Sequence, residues 1–355
     1  MLTLIVPGLI WPPQALADLS YDLDLPAFSA LLGWARHRRL PPAGVHRSLA
    51  NLFAIDSNAP IPAAALRRRT LQPDVGQGDA QQGYADWLCL DPAHLHLSER
   101  HMLIAHPARL RLDLAAAKEL AVALAPTFAE LGELSEPSAA APPFEPLPDI
   151  CEYPALPLPA TPPYAPWRRA LNEAQMLLHH HPINRQREAA DLPTINSLWP
   201  WGGGALDSLV GWADEGSPTL RRTNKLLGLL TSAQPTSLWS NDRVARGLAD
   251  YFGIPTQPLP TDFAALPQQP VVAIVDTLDQ SARCGDAHAW REAVLQLERA
   301  WLQPALQALK HGQLKSLRLY APGNSHSIEL TLTRYALLRF WRRPAPLTSL
   351  AIATE

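Results

Sequence analysis

Val271-Val272-Ala273-Ile274-Val275-Asp276 is a continuous apolar run that stops at a carboxylate. Such a run suits a strand buried on both faces of a parallel sheet, because helices cover both sides of such sheets. Upstream, residues 236–240 read as another strand. It runs into a cap and a helix over 241–252, closed by Gly253 with Pro255 beyond. Downstream, residues 285–311 form a long amphipathic helix interrupted near its end by Pro304, followed by strands at 314–320 and 328–332. The spacing after them predicts a closing helix from Tyr335 to Trp341. At the other end of the chain, residues 2–6 repeat the pattern, a short apolar run ended by Pro7-Gly8. Strands alternating with helices predict an α/β fold with a mostly parallel central sheet flanked by helices.

The remaining segments fit around that frame. Residues 28–38 show helical spacing, with Phe28, Leu31, Leu32 and Ala35 on one face. The cluster Arg36, His37, Arg38, Arg39 then falls at the negative end of the helix dipole. Residues 56–83 read as a long loop, 84–92 as a strand, and 95–105 as its returning partner in a hairpin. Residues 112–130 are helical with Asp113 as N-cap, 167–180 are helical, and 194–199 are strand-like. Residues 132–166 contain eleven of the 37 prolines, which predicts an extended connector. The expected organisation is an N-terminal α/β part (1–131), this Pro-rich linker (132–166), and a C-terminal α/β part (167–355) that completes the same sheet.

Composition narrows the function. The formal net charge of the 355-residue chain is −3, so no basic surplus exists to neutralise a phosphate backbone, and nucleic acid is not an expected partner. No apolar run approaches the length of a membrane span, and no membrane partner is expected. Cys89, Cys151 and Cys284 lie far apart without a CxxC pair, which argues against a zinc ribbon or disulfide framework and suits a reducing, cytoplasmic setting.

The densest chemistry lies between His179 and Gly204. Arg185 and Arg187 could fork onto a phosphate or carboxylate. Asn184 and Asn196 could add neutral hydrogen bonds. Gly202, Gly203 and Gly204 permit close backbone approach and positive φ, though no Gly-Lys-Ser/Thr follows to make a P-loop. Trp199 and Trp201 could staple this loop to a core. Pro182 and Pro193 disfavour one helix through the segment. In an extended segment the two arginines can point the same way, whereas on a helix they diverge by about 200°. Elsewhere, Asp91 and His94 could pair as base and orienter, but a turn-capping Asp91 before Pro92 with a hydrogen-bonded His94 is the favoured reading. Asp276 sits where ligand crevices open in α/β sheets, and a capping role suits it equally. His179, His180 and His181 are consecutive and so point apart on a helix.

Pro182-Ile183-Asn184-x-x-Arg187, continued by Pro193-x-x-Asn196-x-x-Trp199-x-Trp201-Gly202-x-Gly204, resembles the archaeal-type cofactor-independent phosphoglycerate mutases of the alkaline-phosphatase-like superfamily. It is more similar still to a bacterial group of their relatives, the RpfE-type regulatory proteins, whose Asp-Pro-Val-His-Leu segment resembles Asp91-Pro92-Ala93-His94-Leu95. The resemblance implies an alkaline-phosphatase-like scaffold, on which two divalent metals activate a Ser or Thr nucleophile. Here the chain departs from the pattern. Pro7-Gly8 stands where the family carries Asp-Gly, no His follows Asp276 through Cys284, and Tyr320-Ala321-Pro322-Gly323-Asn324 replaces a strand ending in Asp-His. Proline and alanine side chains offer no donor atom to a metal. Ser48 and Ser57 are merely positional candidates for a nucleophile.

The expectation is therefore a non-catalytic regulatory or anion-binding protein with no cofactor, no metal ligands and no catalytic residues. Its anion site would comprise Asn184, Arg185, Arg187, Asn196, Trp199, Trp201, Gly202 and Gly204, with Asp91, His94 and Asp276 secondary. A phosphorylated or carboxylated small molecule and an unidentified protein are the expected partners. The alternative is an active mutase-like phosphotransferase with an altered metal site.

Overall fold

The computed structural model describes residues 1–52, 61–71, 87–97, 102–131, 154–155, 164–204, 206, 209, 237–267, 269–339 and 341–352. The chain divides into two units, one of Met1–Ile55 with Ser217–Glu355 and the other of Asp56–Gly216. Most of the loop expected at 56–83, Ser57, Cys151 and nearly all of the connector at 132–166 lie outside the described residues.

A seven-stranded sheet forms the first unit. Strand β1 (Leu2–Ile5) lies between β10 (Val271–Ile274) and β11 (Ser316–Ala321), parallel to both, with Leu2 opposite Val271 and Leu317. Beyond β10 come β8 (Ser237–Trp239) and β9 (Thr256–Gln257), also parallel. On the other side β12 (Ser327–Thr333) and β2 (Arg36–Leu40) add antiparallel. The architecture is α/β with a mostly parallel sheet. The runs read as doubly covered strands, 2–5 and 271–274, are buried at every position. Leu4, Phe28, Ala273, Trp290, Trp301 and Leu319 join one core with the flanking helices.

Arg36–Leu40 corrects the sequence reading. The helix Pro26–Trp34 stops when Ala35 turns extended (φ −66°, ψ 160°), and the basic cluster continues as an edge strand rather than a helix end. Pairing with β12 satisfies one side of its backbone, and an edge lets its long cationic side chains reach water. The long C-terminal helix is broken by a π turn at Glu298–Leu302, between helices Ala287–Leu297 and Gln303–Lys310. Pro304 sits in the first turn of the last helix, where its missing N–H costs nothing. The expected closing helix is a short 3₁₀ segment, Arg334–Leu338.

The break has a use. Glu298, 1% exposed, directs its carboxylate at the start of helix Pro26–Trp34. It accepts from the backbone N–H of Ala27 (2.7 Å) and Phe28 (2.9 Å), and from Gln303 Nε2 (3.1 Å). That helix has no side-chain cap of its own. A carboxylate 270 residues away in sequence supplies the acceptors that its first turn lacks.

In the second unit β3 (Trp87–Ala93) pairs antiparallel with β7 (Ser197–Gly204), Asp91 facing Trp199. The hairpin expected between 84–92 and 95–105 is instead formed within the second segment, β4 (Leu95–Leu97) against β5 (Met102–Ile104), with β6 (Pro154–Ala155) beyond. Helices Leu114–Phe128 and Ala165–His180 pack Leu120, Leu124, Ala174 and Leu178 into a core with Ile183, Ile195 and Leu198. Asp113 caps the first of them, accepting from Ala116 N at 2.8 Å. No helix among the described residues is long and apolar enough to cross a membrane.

Candidate functional site

The two segments that carry the family resemblance meet in the second unit as the β3–β7 pair. Trp201 Nε1 donates to Asp91 (2.8 Å), and Arg67 reaches the same carboxylate at 3.3 Å while lying over the Trp201 ring. Asp91 therefore binds an indole and a guanidinium, not His94. His94 Nδ1 donates to the carbonyl of Thr194 (2.7 Å). Since a carbonyl only accepts, the proton sits on Nδ1.

Residues 182–189 form a helix, Pro182 entering at its first position with His181 as N-cap. Proline at the first helical position loses no hydrogen bond, so Pro182 separates this helix from the one before it and starts it, and the arginines lie on a helix instead of an extended segment. The arginines consequently diverge. Arg185 is exposed to solvent. Arg187 is 6% exposed and turns inward, donating from Nε to the Pro193 carbonyl (2.8 Å) and from a terminal nitrogen to the Leu110 carbonyl. Burial lowers its pKa, yet a guanidinium stays charged at any ordinary pH.

The asparagines have similar work. Asn184 donates to the carbonyls of Leu178 (2.7 Å) and Ile195 (2.8 Å) and accepts from Ile195 N (2.8 Å). Asn196 accepts from Leu95 N (2.7 Å) and donates to Leu95 O (2.9 Å), completing a rung where no backbone strand supplies one. Trp199 and Trp201 are buried. At Gly202 (φ +68°) a Cβ would come within 2.8 Å of the Ala63 Cβ, and at Gly204 (φ +128°) within 3.3 Å of Pro62. These glycines admit the start of helix Ala63–Leu71 against the strand. The motif thus reads as a fastening of chain to chain, with Arg185 its one solvent-facing guanidinium among the residues expected to hold an anion. His179 and His180 close the preceding helix and His181 caps the next.

A second constellation lies in the first unit, at the C-terminal ends of its parallel strands, where ligand crevices open in such sheets. Asp242 follows β8, Asp276 follows β10, Pro7-Gly8 follows β1, and Pro322 follows β11. His46, buried on helix Val45–Leu52, donates from Nε2 to Asp242 Oδ2 (2.9 Å). Asp242 also caps helix Arg243–Tyr251 through Ala245 N (2.8 Å). Against the desolvation that opposes it, the charge of His46 and these hydrogen bonds hold the Asp242 carboxyl at about 2. Asp276 is pushed the other way, by desolvation first and then by the charges of Asp242 and Asp279. His46 and Asp242 were missed in the sequence. They are 196 residues apart, and the single local sign was an Asp directly beyond a strand and before a helix.

The family's metals fail a test on these residues. Gly8 (φ +78°) is pressed against the next loop, where a Cβ would lie 2.6 Å from the Leu278 carbonyl oxygen, and its own carbonyl accepts from Trp290 Nε1 (2.8 Å). Pro7, Ala321 and Pro322 bring no donor side chain. Asp242 and His46 are committed to one another. Among the described residues no three His, Cys, Asp or Glu side chains gather as a metal site. Ser48 is buried, its hydroxyl bonded to the Gly44 carbonyl at 2.7 Å.

The low pKa of Asp242 has a measurable consequence. A depressed carboxyl stabilises the fold above its unfolded value of 3.8, and the contribution is lost as pH falls toward about 2. From pH 7 down to about 4, Asp242→Asn should be less stable than the wild type by about 2 kcal/mol, and the gap should close below that. Urea unfolding at a series of pH values reads it, and a gap that persists at pH 2 would show that the charge is not its source.

No family model matches the chain, and no curated protein matches it. Among solved structures it is similar to the cofactor-independent phosphoglycerate mutase from Thermoplasma acidophilum. Identity is 15% and TM-score 0.43, over 98% of this chain and 94% of that one. It is also similar to the PH0037 protein from Pyrococcus horikoshii, at 11% identity and TM-score 0.45, over 94% of this chain and 87% of that one.

Proposed function

We propose that the chain is a phosphoglycerate-mutase-like scaffold of the RpfE type that binds and regulates rather than transfers phosphoryl groups. The observation that carries this reading is the chemistry of the strand ends. Pro7-Gly8 and Ala321-Pro322 occupy two places where a dimetal enzyme needs donors, and Gly8 is closed against the Leu278 backbone. The remaining groups, His46 and Asp242, serve each other and a helix N-terminus. No phosphoryl-transfer step can be derived through a metal pair from this set.

A second reading is favoured by Asp276. Its carboxyl is raised in part by Asp242 and Asp279, and a cation would relieve that repulsion. The rival is thus a phosphotransferase with an altered metal site. Elemental analysis of protein purified without chelator, alongside 2- and 3-phosphoglycerate interconversion with added manganese, separates the two. The expected result is metal far below one ion per chain and no turnover. Stoichiometric metal with turnover would overturn the regulatory reading.

A further inference from the structure

We propose that a basic and aromatic surface following β12, built on Tyr335, Leu338, Arg339, Trp341 and Arg343, docks the first unit onto an anionic lipid bilayer. A 3₁₀ helix sets the first part of the surface. Residues 334–338 are 3₁₀, and two further bonds of the same spacing follow, Arg339 N to the Ala336 carbonyl and Arg342 N to the Arg339 carbonyl. With three residues per turn, positions three apart share a side. Tyr335 and Leu338 share a side and are 80% and 71% exposed; the helix ends at Arg339 (φ −78°, ψ 74°), and Trp341, 68% exposed, follows beyond that end. Ala336 and Leu337 take the opposite side and pack on the core.

The stripe is set in positive charge. Residues 330–354 contain four arginines and no Asp or Glu. Arg334, Arg339, Arg342 and Arg343 are all exposed. Arg36 is delivered to the same neighbourhood by the β2–β12 register, which sets it opposite Thr331. The carboxylate on that strand, Glu329, is buried beside Arg318 (3.4 Å) and Arg38 (3.9 Å) and does not offset the cluster. The platform is held from behind, Trp34 Nε1 donating to the Arg339 carbonyl (3.1 Å) and Arg342 to the carbonyls of Gly33 and Ala35.

Charge and side-chain type together select the occupant. A net charge of −3 argued against polyanions for the chain as a whole, but a net value averages away a local cluster. Arginine pairs with lipid phosphate. Tyr and Trp favour the headgroup level, and Leu gains by entering the acyl boundary. A nucleic-acid backbone would use the arginines and give an exposed Leu nothing to enter. Apolar insertion plus a basic patch is the two-signal combination that holds a protein at a membrane surface without a spanning helix.

Co-sedimentation of the full chain with vesicles tests this, using phosphatidylcholine alone and phosphatidylcholine with roughly a third phosphatidylserine. Binding is expected to the second only, and to weaken with salt. Arg339→Glu with Arg343→Glu should weaken it at least about tenfold, while lysine at both positions retains it. Tyr335→Ser with Leu338→Ser should also weaken it about tenfold without altering the melting temperature. No binding to the anionic vesicles overturns the proposal. So does full binding by the serine pair, since that makes the surface a site for polyanions in general.

Discussion

Glu298→Ala should lower stability by about 3–4 kcal/mol, among the largest losses for a single side chain in the first unit. The alanine removes the acceptors of two buried N–H groups, those of Ala27 and Phe28. Each stranded donor costs about 1–3 kcal/mol. It also removes negative charge from a helix N-terminus that has no other side-chain cap, and opens a void beneath the π turn. Glu298→Gln, whose amide oxygen still accepts, should lose roughly half as much. Urea unfolding gives the magnitude, and hydrogen exchange gives the place, because the amides of residues 27 and 28 should lose protection first. A Glu298→Ala protein within about 1 kcal/mol of wild type would mean that water can replace the carboxylate there.

Arg187→Ala should cost about 2–4 kcal/mol, while Arg185→Ala should stay within about 0.5. The two residues lie on one helix and differ in what they face. Arg187 bridges the carbonyls of Leu110 and Pro193 from a buried position, so its loss leaves two acceptors unsatisfied. Arg187→Lys should recover little, since an ammonium on a flexible stem cannot span both carbonyls as a planar fork does. Arg185 is exposed and can be removed without stranding a buried group. Melting curves of the three variants give the comparison, and adding 3-phosphoglycerate to each shows whether a ligand depends on either arginine. Equal, small losses at both positions would return Arg187 to the list of groups available to a ligand.

What the sequence revealed was local. The apolar runs at 2–6 and 271–275 identify doubly covered strands because burial on both faces leaves no polar alternation. Asp113 before Leu114 marks a helix start because the capping hydrogen bond spans only three residues. What it concealed was non-local. Arg36–Leu40 carries nothing that names it a strand until β12 lies beside it. Asn184, Arg187 and Asn196 have the chemistry of an anion site and that of a backbone clamp in equal measure. The decision rests on whether Leu110, Ile195 and Leu95 present backbone groups to them, which only the fold determines. Pro182 and Pro193 do break the helix, but the stretch between them is not extended. Proline forbids a helix through its position but favours one that begins there, and Pro182 begins one.

Each end of the large sheet presents an edge through which a second copy could pair. An outermost strand exposes unpaired backbone groups to any second copy. On one flank that strand is Arg36-His37-Arg38-Arg39-Leu40, so two molecules meeting there would bring like charges together along the whole ladder. On the other flank it is Thr256–Gln257, two residues long, which offers too few bonds to hold a neighbour. One flank is guarded by repulsion and the other by brevity, and they respond differently to the medium. Electrolyte shortens the reach of the first, to about 10 Å at 0.1 M, and leaves the second untouched. Crowded, saline conditions therefore bear on the arginine flank, the same flank whose chemistry suits a negatively charged surface.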